Sequence, residues 1–208
     1  MKLKICGMKY LENIQSVAEL QPDYLGFIFY EKSKRNFDGI IPELPTSIKK
    51  AGVFVNASIA VVLNKIKTYK LHAVQLHGDE TVAYIQELKQ SLKGVQIEII
   101  KVFSVDDAFD FERTKEFEKV CDYFLFDTKG KERGGTGITF NWSVLKKYNS
   151  TKPFFLSGGI GLEHVAAIKK LVKTDLPIYA LDVSSKFELE PGLKNLEQLK
   201  EFKKSLHV

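Results

Sequence analysis

The side chains of this chain that could do chemistry are not scattered evenly: several stand where a run of apolar residues gives out. Cys6 and Gly7 close the run LKIC, Asp127 follows YFLF at 123–126, and Asp182 follows IYAL at 178–181. Ser157-Gly158-Gly159 follows PFFL, and His77-Gly78 follows AVQL. A free thiol ionises near pH 8.5, so Cys6 needs little lowering to act as a general base or a nucleophile; its structural alternative is a small buried hydrophobe. A carboxylate behind four aromatic or aliphatic residues is costly unless it meets a polar cavity or a partner. Asp127 is therefore a candidate proton donor, with a helix cap or salt bridge as the alternative. Asp182 has the same placement and could instead accept hydrogen bonds from loop backbone. His77 reads equally as a proton carrier or a satisfied core histidine. Arg35, behind Lys32 and Lys34, is either a fork for a carboxylate or part of a solvated charge run. Gly158, Gly159 and Gly161 precede a helical pattern, so backbone amides there could receive a phosphate, with Ser184 and Ser185 adding donors from the other side; a tight turn is the bland alternative. Cys121 precedes its run and reads as packing. His72, His164 and His207 form no nucleophilic arrangement, and no spaced His, Cys or carboxylate cluster suggests a metal site.

The elements that must position these residues follow from the apolar pattern. Eight short apolar runs stand at 3–6, 24–29, 50–55, 72–76, 97–103, 122–127, 153–158 and 177–182, several of them almost continuously apolar or β-branched. Strands buried on both faces read this way. Between them, apolar spacings of three and four predict helices over 11–20, 58–69, 80–92, 162–173 and 193–206, with further helices near 105–117 and 140–148. Pro42 and Pro45 allow only a short helix in 30–49. The Gly-rich stretch 130–137 reads as a loop within the domain. Alternation of this kind predicts a parallel sheet flanked by helices. Eight units fit a closed (β/α)₈ barrel forming a single domain over residues 1–208, near the lower length limit for that architecture. An open doubly wound sheet is the competitor, but no G-x-G-x-x-G opens the first helix. In a barrel the polar residues at strand ends share one mouth.

Composition narrows the partners. Apolar types make up 44% of the residues and charged types 27%, which excludes a mainly disordered chain. Lys and Arg number 31 against 26 Asp and Glu, a formal charge of +5 that suits an anionic ligand. The lysines are interspersed with Glu along the helices, so nucleic acid is not expected. Two Cys make no disulfide framework. No apolar core of a signal segment follows Met1, and no stretch approaches the length of a membrane span. A soluble, cytoplasmic, monomeric chain is expected.

With those residues in view, the chain strongly resembles the phosphoribosylanthranilate isomerase family of tryptophan biosynthesis. The matching segments are KICGM at 4–8, GFIFYEKSKR at 26–35, GVFVN at 52–56 and VQLHGDE at 74–80. They continue with FDTKG and GGTGITFNW across 126–142, LSGGI at 156–160, DVSS at 182–185 and EPGLKN at 190–195. The resemblance implies a (β/α)₈ barrel and a cofactor-free Amadori rearrangement of a small phosphorylated anion, N-(5-phosphoribosyl)anthranilate. It implies Cys6 as general base, Asp127 as general acid, Arg35 at the anthranilate carboxylate, and Asp182 in positioning. It implies phosphate binding at Gly158, Gly159, Ser184 and Ser185. Two departures stand out: Lys186 where the family commonly has Gly, which could alter the phosphate loop, and Asn195 where Asp is usual, expected to change only capping. A related phosphosugar isomerase of the same barrel type would prefer carboxylates in both proton-transfer roles. A silent regulatory barrel would have no use for Cys6 and Asp127 together.

Overall fold

The computed structural model describes residues 1–128 and 141–206; the Gly-rich stretch 130–137 and His207 lie outside the described residues. Each of the eight apolar runs forms a parallel strand: β1 (Lys2–Cys6), β2 (Tyr24–Ile28), β3 (Lys49–Phe54), β4 (Ala73–Leu76), β5 (Glu98–Val105), β6 (Tyr123–Thr128), β7 (Phe154–Leu156) and β8 (Ile178–Val183). They pair in chain order and close, with Leu3 opposite Leu181 and Lys4 opposite Asp182. The closed barrel therefore prevails over the open sheet.

Alternation along each strand sorts the side chains into two populations. Leu3, Ile5, Leu25, Phe27, Val74, Leu76, Phe124 and Phe126 face outward into the helix-covered core. Tyr24, Ala51, Ala73, Ile100, Leu125, Phe155 and Ala180 fill the barrel itself. This explains the continuous apolar runs: both faces of the strands are dry through most of their length.

The helices are α1 (Leu11–Ala18), α2 (Ile59–Tyr69), α3 (Val82–Ser91), α4 (Val165–Leu171) and α5 (Leu196–Leu206). Ser58 and Thr81 cap α2 and α3 by accepting the amides of Val61 and Tyr84. Three expectations need correction. The pattern at 105–117 is a continuation of β5 to Val105 and then a 3₁₀ segment, Phe111–Phe117, whose buried residues Phe111, Thr114 and Phe117 recur every three positions. The pattern at 140–148 is likewise a 3₁₀ segment, Trp142–Lys147. The apolar stripe assigned to one helix at 193–206 begins instead with a strand: β9 (Glu188–Glu190) and β10 (Leu193–Lys194) form an antiparallel hairpin, turned by Pro191 and by Gly192 at φ +93°, before α5 starts. Asn195 accepts the Gln198 amide at 3.2 Å, a capping role in keeping with its expected effect. The stretch 30–48 contains no helix.

Candidate active site

At the carboxyl ends of the strands the barrel interior changes from apolar to polar. Cys6, Arg35, Asp127, Gly158, Gly159, Asp182, Ser184 and Ser185 all line one cavity there, about 650 Å³ in volume. The structure thus brings the proton-transfer and anion-binding candidates to one mouth, while Gly161 lies outside the cavity lining. Gln75, His77 and Ser157 join them, with Lys32 and Lys34 at the rim.

Cys6 ends β1 opposite Gly26 of β2, and the absence of a side chain there makes its room. A Cβ on Gly26 would lie 2.6 Å from the thiol sulfur and 3.0 Å from the Cys6 Cα. The Cys6 carbonyl accepts the Ser184 hydroxyl at 2.9 Å, tying the end of β1 to the loop after β8. Burial pushes the Cys6 thiol up, and Asp182 adds to this; the Lys4 ammonium and, at longer range, Lys194 pull it down without prevailing. The expectation that little lowering is needed therefore understates the burial.

Asp127 stands one residue before the end of β6, on the inward face. One carboxylate oxygen accepts the Thr128 amide at 3.0 Å, and the other lies 3.4 Å from His77 Nε2. Asp182 on β8 is more tightly held: Oδ1 takes the Lys4 ammonium at 2.7 Å and Oδ2 takes the Ser157 hydroxyl at 3.1 Å. Its alternative role as an acceptor for loop backbone is not what these contacts describe.

Arg35 is oriented by a residue from the far end of the chain. Its Nε donates to both oxygens of Glu188, at 2.9 and 3.0 Å, and its Nη2 donates at 2.6 Å. That spends the side edge of the guanidinium and leaves the end-on edge for a ligand carboxylate. Glu188 also receives the fully buried Lys194 ammonium at 2.7 Å. Burial alone would push the Glu188 carboxyl up, but Arg35 and Lys194 outweigh it and hold it below its ordinary range. Burial in turn pulls Lys194 below its ordinary value.

Between the β7 and β8 loops the backbone is shaped for close approach. Gly158 and Gly159 have φ of +92° and +63°, and a Cβ on Gly158 would stand 2.6 Å from the Thr128 nitrogen. The 3₁₀ segments Leu162–His164 and Ser185–Phe187 begin just beyond. Ser184 commits its one proton to the Cys6 carbonyl, so its backbone rather than its hydroxyl is available to an anion. Lys186 points to Glu163, with Nζ 3.1 Å from Oε1, and its backbone does not occupy the left-handed region. Lysine therefore sits at this position without backbone strain.

Sequence reasoning missed Lys4, Glu188 and Lys194. A lysine inside the run LKIC was a usable signal, since a cation in a strand buried on both faces requires a partner. Pro191-Gly192 was the signal for the hairpin that carries Glu188 and Lys194. Among the described residues no group of three or more His, Cys, Asp or Glu is placed to hold a metal, and no helix is long and apolar enough to cross a membrane.

Residues 3–205 match the family model described as N-(5'phosphoribosyl)anthranilate (PRA) isomerase. The N-(5'-phosphoribosyl)anthranilate isomerase of Parabacteroides distasonis is 43% identical, over 97% of this chain and 91% of its own length. The crystal structure of phosphoribosyl anthranilate isomerase from Thermotoga maritima superposes with a TM-score of 0.85 at 34% identity, covering 100% of this chain and 98% of that one. A phosphoribosyl anthranilate isomerase in complex with reduced 1-(o-carboxyphenylamino)-1-deoxyribulose 5-phosphate gives 0.81 at 31% identity, over 100% and 98%. The cavity at the barrel mouth is thus found on a chain that matches these proteins over nearly its whole length, and the chain belongs to the N-(5'-phosphoribosyl)anthranilate isomerase family.

Proposed function

We propose that this chain converts N-(5-phosphoribosyl)anthranilate into 1-(2-carboxyphenylamino)-1-deoxyribulose 5-phosphate by general acid–base catalysis, without a cofactor, in tryptophan biosynthesis. The observation that carries this reading is the single cavity lined by a thiol, a carboxyl, an arginine and a glycine-rich loop. Its charges suit a substrate with anions at both ends. The anthranilate carboxylate meets the end-on edge of Arg35, and the phosphate meets the backbone at Gly158, Gly159, Ser184 and Ser185. Asp182 holds its place through Lys4 and Ser157 and helps fix the sugar between them.

Asp127 protonates the furanose ring oxygen, and the C1–O bond breaks with formation of an iminium ion. The cation acidifies the proton on C2. The Cys6 thiolate takes that proton, the C2–H electrons form the enolamine, and tautomerisation gives the aminoketone. The substrate nitrogen is the electron sink, so positioning and proton transfer carry the rate. We further place the chain in the cytoplasm as a monomer that binds this small anion and not nucleic acid.

Anthranilate-ring fluorescence, lost on turnover, tests the reading. Cys6→Ser and Asp127→Asn should each lower kcat by at least about 100-fold with product binding nearly unchanged by calorimetry. Near-wild-type turnover in either variant would remove that residue from the chemistry.

A further inference from the structure

The interior of the barrel holds one charge pair for which the packing alone gives no reason. Lys4 is completely buried, and its ammonium lies 2.7 Å from Asp182 Oδ1. A buried ion pair seldom stabilises a fold more than well-packed apolar side chains of the same volume. Its location is more telling than its energy. Lys4 and Cys6 are two residues apart on β1, so their side chains emerge on the same inward face, with the thiol toward the cavity and the lysine beneath it. The face of β1 that carries the sulfur thus also carries a buried ammonium, which Asp182 holds in place.

We propose that Lys4 is the positioning residue that makes the Cys6 sulfur usable as a base: its ammonium, held by Asp182 on the same inward face as the sulfur, is the fixed counter-charge for the thiolate left when the thiol gives its proton to solvent. The inference rests on the reading of Cys6 as the base. During C2 abstraction the C–H bond breaks, the S–H bond forms and the electron pair passes to the iminium; Lys4 stays protonated throughout and transfers nothing.

The other charges around the sulfur do not replace it. Arg35, from the loop after β2, and Lys194, on β10, are both countered by Glu188. Asp182, from β8, is an anion and works against the thiolate, while Asp127 of β6 and His77 after β4 face the same cavity. Lys4 is itself held charged: burial opposes the charge, but Asp182 and then Cys6 outweigh burial and raise it above the ordinary lysine value. Asp182 thus has a double effect, keeping the lysine protonated while diluting its pull on the sulfur.

The test reads the sulfur separately from turnover. Iodoacetamide alkylation is followed against pH, with peptide masses scoring Cys6 apart from Cys121, and kcat is followed against pH by fluorescence. In Lys4→Met both profiles should move to higher pH by about one unit, a roughly tenfold loss of alkylation rate at fixed pH. In Asp182→Asn the alkylation profile should move the opposite way, because an anion beside the sulfur is gone while Lys4 remains. Should Lys4→Met fail to fold, the direction of the Asp182→Asn shift decides: no downward shift overturns the proposal. An unmoved alkylation profile in folded Lys4→Met, even with kcat reduced, makes Lys4 merely structural and also overturns it. A shifted alkylation profile beside an unmoved kcat profile would instead overturn the reading of Cys6 as base, and with it the use proposed for Lys4.

Discussion

The two ends of the barrel interior are both polar, but their polar groups are arranged to opposite effect. At the amino ends of the strands, Tyr24 donates to Glu98 at 2.9 Å and meets the Tyr179 hydroxyl at 3.1 Å. Lys49 pairs with the other oxygen of Glu98, and Tyr123 stacks on Tyr179 with ring centroids 4.3 Å apart. Most partners in this plug are other members of it, with Lys2 over the Tyr179 ring as an outer contact, and together they close this end of the barrel. At the carboxyl ends, the salt links Lys4–Asp182 and Arg35–Glu188–Lys194 stand behind the cavity and leave the thiol, a carboxyl and one edge of a guanidinium turned toward it. Polarity satisfied from within gives stability; polarity braced from behind gives a surface able to act on a ligand.

If the comparison is right, the largest effect comes from disturbing the braced end where nothing polar changes. Gly26→Ala would drive a methyl group against the Cys6 sulfur and backbone. We expect kcat to fall roughly 100-fold, the scale associated with a misplacement of about 1 Å, while the protein remains folded by circular dichroism. A fully active Gly26→Ala would show that the sulfur need not be held there.

Glu188→Gln should affect both binding and stability. Arg35 loses its charged brace and Lys194 its buried counter-ion. KM should rise about tenfold with little change in kcat, and stability should fall by about 3 kcal/mol as a buried pair is broken, measured by steady-state kinetics and denaturant titration. The pH dependence has a definite sign. Glu188 is held below its ordinary value in the fold, so its stabilising contribution is complete above the ordinary glutamate pKa and is lost as pH falls through the folded value. The gap between wild type and Glu188→Gln should therefore be widest near neutrality and close in acid.

Tyr24→Phe tests the sealed end. It should cost about 1 kcal/mol in denaturant titration, from the loss of hydrogen bonds to Glu98 and Tyr179, and leave kcat unchanged. A drop in kcat would erase the distinction between the two ends. The smallest effect is expected from Lys186→Gly. Its ion pair with Glu163 is substantially exposed, so stability should change by less than about 1 kcal/mol and inorganic phosphate affinity, by calorimetry, by no more than a few-fold.

The legibility of the chain follows the range of the interactions involved. The eight strands could be read because burial on both faces writes itself into each run locally. Cys6, Asp127 and Asp182 were visible because they interrupt those runs at strand ends. Glu188 and Lys194 were hidden by a periodicity error: Leu193, Leu196 and Leu199 fit a helical stripe, and the turn at Pro191-Gly192 was subordinated to it. Lys4 has no local signature beyond its charge. Its partner Asp182 is 178 residues away, and Arg35 and Glu188 are 153 apart. Pairings of that range exist only once the sheet has closed.

Closure between β1 and β8 also imposes an order in time. The Cys6 thiol is synthesised 176 residues ahead of Asp182, and Glu188 and Lys194 follow later still. At ordinary synthesis speeds the nascent chain carries that sulfur for on the order of 10–35 s before its surroundings have been made. A truncated chain ending before β8 would lack the counter-charges of Lys4 and Arg35 together. Vectorial synthesis therefore delivers this site in a late event, when β8 docks against β1 and the β9–β10 hairpin follows.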